Sequence, residues 1–105
     1  MKTVYIAGPI TRIENYEENF KKRENELLRM GFKVINPVEK GRILEKSLGR
    51  QLKHEEYMQF LIPYVLQATS ISLLKGWELS KGARLEYDVA MGTGKTILDV
   101  KVFDR

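Results

Sequence analysis

The sequence predicts an α/β fold: a small doubly wound, mainly parallel sheet of about four or five strands with helices on both faces. Three observations predict it. Short apolar runs rich in β-branched residues recur along the chain (Thr3-Val4-Tyr5-Ile6-Ala7, Lys33-Val34-Ile35, Ile71-Ser72-Leu73-Leu74, Thr96-Ile97-Leu98-Asp99-Val100). Longer stretches with apolar residues at helical spacing separate them. Gly, Pro and Asn stand at the junctions, as in Gly8-Pro9, Asn36-Pro37 and Gly92-Thr93-Gly94.

The elements follow in order. Thr3–Ala7 reads as a buried strand closed by Gly8-Pro9. Asn15 opens a helix with Glu18 as its capping-box partner. Tyr16, Phe20 and Leu27 share one face of it, and Gly31 stops it. Lys33–Ile35 is the second strand. The stretch from Val38 to Lys53, with Gly41, Gly49 and five basic residues, is compatible with a mobile loop or a short helix. A helix covers about His54 to Ala68, and Pro63 is expected to kink or restart it. Ile71–Leu74 is the third strand and Gly76–Leu79 a turn. Ser80 caps a helix running to about Met91, and Thr96–Val100 is the fourth strand. The order β-α-β-α-β-α-β gives a flavodoxin-like or Rossmann-like arrangement of one domain over residues 1–105. In such sheets ligands sit at the carboxyl ends of the strands, which directs attention to Gly8–Thr11, Asn36–Glu39 and Lys75–Gly82.

Composition narrows the function. A chain of 105 residues makes one domain, and 43% hydrophobic with 30% charged residues is globular composition. With no Cys, thiol catalysis and Cys-based zinc sites are excluded. The single His is His54, so a Ser–His–Asp triad would have to pass through it. Three Asp in the whole chain make a carboxylate-rich metal site unexpected, and neither a metal nor another cofactor is expected. The net charge of +4 suits small anions such as phosphates. No run approaches the roughly 20 apolar residues of a membrane helix, so a soluble, cytoplasmic protein is expected. Its size makes a homodimer or higher homo-oligomer plausible.

Several motifs have two readings. Gly92-Thr93-Gly94-Lys95-Thr96 resembles a P-loop tail, but Val89 stands where the first glycine belongs, and the segment runs from helix into strand. It reads as a helix stop. Ser80-Lys81-Gly82-Ala83 opens a helix whose free N–H groups suit a phosphate, and Gly82 leaves room for close approach; a plain N-cap explains the same residues. Glu86, one turn after Gly82, shares its side of the helix with Ala83 and Ala90. It is either a ligand-facing acid or a solvated carboxylate. Trp77 can stack on a base or fill core. Tyr5 can reach a carboxylate across the sheet edge or fill core. Lys40, Arg42, Lys46, Arg50 and Lys53 are a solvated face or a weak nucleic-acid contact.

Val4-Tyr5-Ile6-Ala7-Gly8-Pro9-Ile10, Val34-Ile35-Asn36-Pro37, and Gly76-Trp77-Glu78-Leu79-Ser80-Lys81-Gly82-Ala83-Arg84-Leu85-Glu86 followed by Ala90 and Gly94-Lys95 together resemble the nucleoside 2-deoxyribosyltransferase superfamily. The Gly-Trp-Glu-x-Ser-x-Gly-Ala block resembles a compact subgroup of phage and bacterial genomes, DUF4406. The resemblance spans nearly the whole chain. It implies a small nucleotide or nucleoside as ligand, Glu86 as nucleophile and Tyr5 as its orienting donor. Gly8, Pro9 and Ile10 would line the base and sugar side. Ser80, where base-exchanging transferases carry an acid, resembles the 5′-monophosphate hydrolases. Two family acids are replaced, by Leu61 and Thr69, leaving His54 or Glu56 as substitute proton donors. Family sites are commonly completed across a dimer. Cleavage of the N-glycosidic bond of a (deoxy)nucleoside 5′-monophosphate is therefore the expected function. The alternatives are base exchange, a catalytically degenerate nucleotide-binding or sensing protein, and a nucleic-acid accessory protein.

Overall fold

A computed structural model describes residues 2–98. Four strands, β1 (Thr3–Ala7), β2 (Lys33–Ile35), β3 (Ser70–Leu73) and β4 (Thr96–Leu98), form one sheet in the order β2-β1-β3-β4. Every pairing is parallel, as Tyr5 opposite Ile35, Tyr5 opposite Ile71 and Ile71 opposite Ile97 illustrate. The helices are α1 (Tyr16–Arg29), α2 (Pro37–Leu48), α3 (His54–Gln67) and α4 (Lys81–Gly92), with a single 3₁₀ turn over Trp77–Leu79.

Alternation along β1 divides the core. Tyr5 and Ala7 point to one face, where they meet Ile71, Leu73, Val65 of α3, and Ala83 and Ala90 of α4. Val4 and Ile6 point to the other, against Phe20 and Leu27 of α1. The sheet is thus covered on both sides, and a parallel sheet requires that. Beneath the α1 face Arg23 is buried and donates to Ser72 Oγ at 2.7 Å.

The chain leaves β1 toward β2 through α1, then crosses back over β1 to β3 through α2 and α3. The winding direction reverses between β1 and β3. The loops that leave their carboxyl ends diverge there and open a crevice.

Three local expectations are resolved or changed. The undecided stretch after Asn36 is a full helix, α2. The Asn36 side chain caps it by accepting from the Val38 N–H at 3.0 Å, with Pro37 in its first turn. Asn15 is the N-cap residue of α1, but its φ is 61° and its side chain makes no cap hydrogen bond, so the expected capping box does not form. α3 runs without interruption through Pro63. That residue is exposed, so water can serve the carbonyl it leaves without a donor. The fourth strand is described as Thr96–Leu98; Asp99, Val100 and Asp104 lie outside the described residues. Gly94 has a φ of 75° and Lys95 Nζ donates to the Leu66 carbonyl at 2.7 Å, so the Gly-Thr-Gly-Lys segment is a helix stop.

Candidate functional site

α4 positions the central carboxylate. Ser80 caps it, its Oγ accepting from the Ala83 N–H at 3.2 Å. Because Oγ accepts there, its hydrogen remains to donate to a ligand. Ala83, Glu86 and Ala90 are the buried residues of this helix. They form an i, i+3, i+7 stripe that packs on the sheet, and Glu86 occupies a place where the pattern calls for an apolar residue.

Glu86 is 4% exposed. It accepts a hydrogen bond from the Tyr5 hydroxyl, which rises from the middle of β1. Burial pushes the Glu86 pKa up to about 8, and the Tyr5 donor acts in the opposite direction. The Tyr5 phenol is raised well above its ordinary value, first by burial and then by the neighbouring carboxylate. The pair therefore holds a proton near neutrality that an exposed glutamate would give up.

This carboxylate is in the wall of a cavity of about 1000 Å³ in the crevice between the β1 and β3 loops. Gly8, Pro9 and Ile10 line it from β1, and Ser80 and Gly82 from α4, as the sequence suggested. Tyr5 supports Glu86 from behind. The absent side chain at Gly8 serves packing: a Cβ there would stand 2.7 Å from Leu74 Cβ. At Gly82 a Cβ would meet Met58 and His54 at 3.4 and 3.5 Å, so α3 crosses close to the first turn of α4.

Other expectations do not meet at the cavity. Trp77 is not among its lining residues; its ring packs on Tyr87 of α4 with centroids 4.5 Å apart. Thr69 sits at the amino edge of the sheet, bonded to the Thr3 backbone, at the opposite end from Glu86. A carboxylate there would not reach the site. Leu61 does line the cavity and is buried. His54 is in the lining, whereas Glu56 is held by Arg50 at 2.7 Å, which pulls its pKa down to about 2. The basic stretch disperses: Arg42 pairs with Glu17, Arg50 with Glu56, and Lys40 lies over the Tyr64 ring.

The cationic rim was legible in the sequence only in part. Arg12, Lys75 and Lys81 line the cavity with Arg42. Lys75 and Lys81 lie in the segment after β3, so strand-end position was the usable signal. Arg12 has a φ of 63° and lies beyond the residues that immediately follow β1, where no local pattern marks it. The α2 contributions, Val38, Arg42 and Glu45, came from a segment with no decided structure.

A family model described as a domain of unknown function, DUF4406, matches residues 2–99. The chain belongs to that family. No curated protein and no solved structure matches it. The DUF4406 chain thus carries a buried acid–phenol pair at the wall of a cavity rimmed by cations. Among its described residues no helix is long and apolar enough to cross a membrane.

Proposed function

We propose that this DUF4406 protein cleaves the N-glycosidic bond of a (deoxy)nucleoside 5′-monophosphate, with Glu86 as the nucleophile. The observation that carries the reading is the buried Glu86 carboxylate, bonded to Tyr5 and among the residues that line the cavity. The sequence resemblance to nucleoside 2-deoxyribosyltransferases supports the same role.

The chemistry follows from the placement. The first turn of α4 offers free N–H groups, the Ser80 hydroxyl and Lys81 to a 5′-phosphate. Six residues of helix separate Ser80 from Glu86, a rise of about 9 Å, which leaves room for a furanose between the anion and the acid. A Glu86 oxygen attacks C1′ as the bond to the base breaks, through an oxocarbenium-like transition state. Tyr5 holds the attacking carboxylate in one orientation. Water then hydrolyses the sugar ester, restoring Glu86 and releasing the sugar phosphate. A second base as acceptor would make the same intermediate serve base exchange.

The reading includes a homodimer in the cytoplasm acting on free nucleotides. Leu79, 92% exposed, and Ile10, 40% exposed, stand at the cavity rim, where a second copy would cover them.

Incubation with a panel of 2′-deoxynucleoside 5′-monophosphates, with free base measured by chromatography, tests the proposal. Release is expected, and Glu86→Gln is expected to reduce it by about 10³-fold or more while affinity stays within a few-fold. One observation favours a second reading, a nucleotide-binding protein without turnover: Leu61 presents a hydrocarbon wall where an acid would help the base to leave. Binding without base release, unaltered by Glu86→Gln, would establish that reading instead.

A further inference from the structure

The two ends of the cavity differ in chemistry. Toward the β1 and β3 loops and the start of α4 it presents Arg12, Lys75 and Lys81. Toward α1, α2 and α3 it presents the aromatic rings of Tyr16, Phe20 and Tyr57, the carboxylate of Glu45, and the guanidinium of Arg42, which Glu17 holds. Glu45 is half-buried, and its carboxylate is engaged twice: it accepts from the Leu52 N–H at 2.8 Å and from the Tyr57 hydroxyl. Both donors favour its charged form and hold its pKa below the usual carboxylate range. Among the described residues no lysine or arginine closes an ion pair with it. A fixed negative charge bordered by aromatic faces suits an organic cation.

Among the described residues the same end presents no carboxylic acid or imidazole free to protonate a base. Leu61, Val38 and Phe20 are hydrocarbon, Arg42 is held by Glu17, and Tyr16 offers only a phenol. The Tyr57 hydroxyl is committed to Glu45, and burial together with that carboxylate raises its pKa further. His54 lines the cavity but lies beside Gly82, at the phosphate end. A neutral base needs a proton as it departs. A base already carrying positive charge does not.

From this we infer that the preferred substrates are nucleoside 5′-monophosphates whose base is a cation at the glycosidic ring, such as an N7-alkylated purine or an N-linked pyridinium. The inference rests on the cleavage reading and names its substrate class. Glu45 and the tyrosine faces receive the cationic ring, and the rim cations receive the phosphate. A Glu86 oxygen bonds to C1′ as the C1′–N bond breaks. The bonding pair passes to the ring nitrogen and cancels its charge, so the base leaves neutral and takes no proton. Water cleaves the ester, giving one proton to solvent and its hydroxyl to C1′.

A pair of twins tests this: 7-methylguanosine 5′-monophosphate against guanosine 5′-monophosphate, compared in base release by the native protein and in calorimetric binding to the Glu86→Gln protein. The cationic twin is expected to bind at least about tenfold more tightly and to release its base faster. Glu45→Gln is expected to abolish the difference between the twins. Nicotinamide mononucleotide, a second cationic probe of different shape, is expected to follow the methylated purine. Equal affinity and equal cleavage of the twins by the native protein would overturn the inference even if Glu45→Gln failed to fold. Cleavage of the neutral twin without preference would overturn it and leave the cleavage reading standing. Selective, Glu45-dependent binding with no release of any base would overturn the cleavage reading and with it the substrate class, leaving a cation-selective binding cavity.

Discussion

At the residue scale the Tyr5–Glu86 pair sets the pH behaviour. An ordinary glutamate has a value of 4.5, and burial raises that of Glu86 to about 8. Between those limits the folded chain holds a proton that the unfolded chain has lost. Stability therefore falls as pH rises from 4.5 to about 8. The slope from this one group is at most about 1.4 kcal/mol per pH unit. Denaturant midpoints measured across that range should decline in the native protein, and the decline should flatten in Glu86→Gln. A midpoint profile identical in both proteins would show that Glu86 titrates as if exposed. Catalysis has the opposite sign, because a nucleophile must be ionised. kcat/KM for a cleaved nucleotide should rise with pH and level off above about 8. Tyr5→Phe removes the donor that favours the carboxylate, so its rising limb should move to higher pH and activity at pH 7 should fall on the order of tenfold. The sequence marked this residue as a Glu spaced on the Ala83–Ala90 stripe. Its burial was not visible, since a solvated helix carboxylate leaves the same local pattern.

At the element scale, what decided legibility was whether an element carries its own signals. β1 does: β-branched, aromatic, and closed by Gly8-Pro9. So does α4, with Ser80 as its cap and two alanines on its inner face. α2 carries end signals, Asn36-Pro37 at its start and Gly49 at its stop, but Gly41 and the cations between them argue against a helix locally, and tertiary packing overrides them. Gly41 is the reason. A Cβ there would stand 2.6 Å from Tyr57 Cε1, so the missing side chain lets α3 lay a tyrosine directly on α2. No pattern within one segment can announce a contact with another. Gly41→Ala separates the two influences. In an exposed helix it would add roughly 1 kcal/mol of stability. Here the overlap with the Tyr57 ring should reverse the sign, with a loss of about 1–3 kcal/mol by chemical denaturation. Tyr57→Ala should remove the penalty, so that adding Gly41→Ala on that background no longer destabilises. A stabilised single variant would show that α2 and α3 separate easily, and that the cavity wall they form is not fixed.

At the scale of the molecule, the doubly wound order matters more than any single side chain. The reversal between β1 and β3 brings the β1 loop, the β3 loop, α2, α3 and the start of α4 around one crevice, although they are distant along the chain. A ligand held there ties these elements together, and binding to the folded state alone must raise its stability. At one hundred times its dissociation constant a ligand adds about 2.7 kcal/mol, which in a domain of this size corresponds to roughly 10–20 °C in Tm. The Glu86→Gln protein, which leaves the ligand intact, is the form to melt. 2′-Deoxyadenosine 5′-monophosphate should raise its Tm well beyond 2′-deoxyadenosine at the same concentration, because only the nucleotide reaches Lys75, Lys81 and the first turn of α4. Rim cations act through water, so raising the salt from about 0.05 to 0.5 M should shrink the advantage of the nucleotide. Ser80→Ala should shrink it too, beyond the ~1 kcal/mol of ligand-free stability that loss of a cap costs. Equal melting shifts for nucleotide and nucleoside, indifferent to salt, would mean that the cationic rim does not select a phosphate, and the sugar would then have to be held by the β1 loop alone.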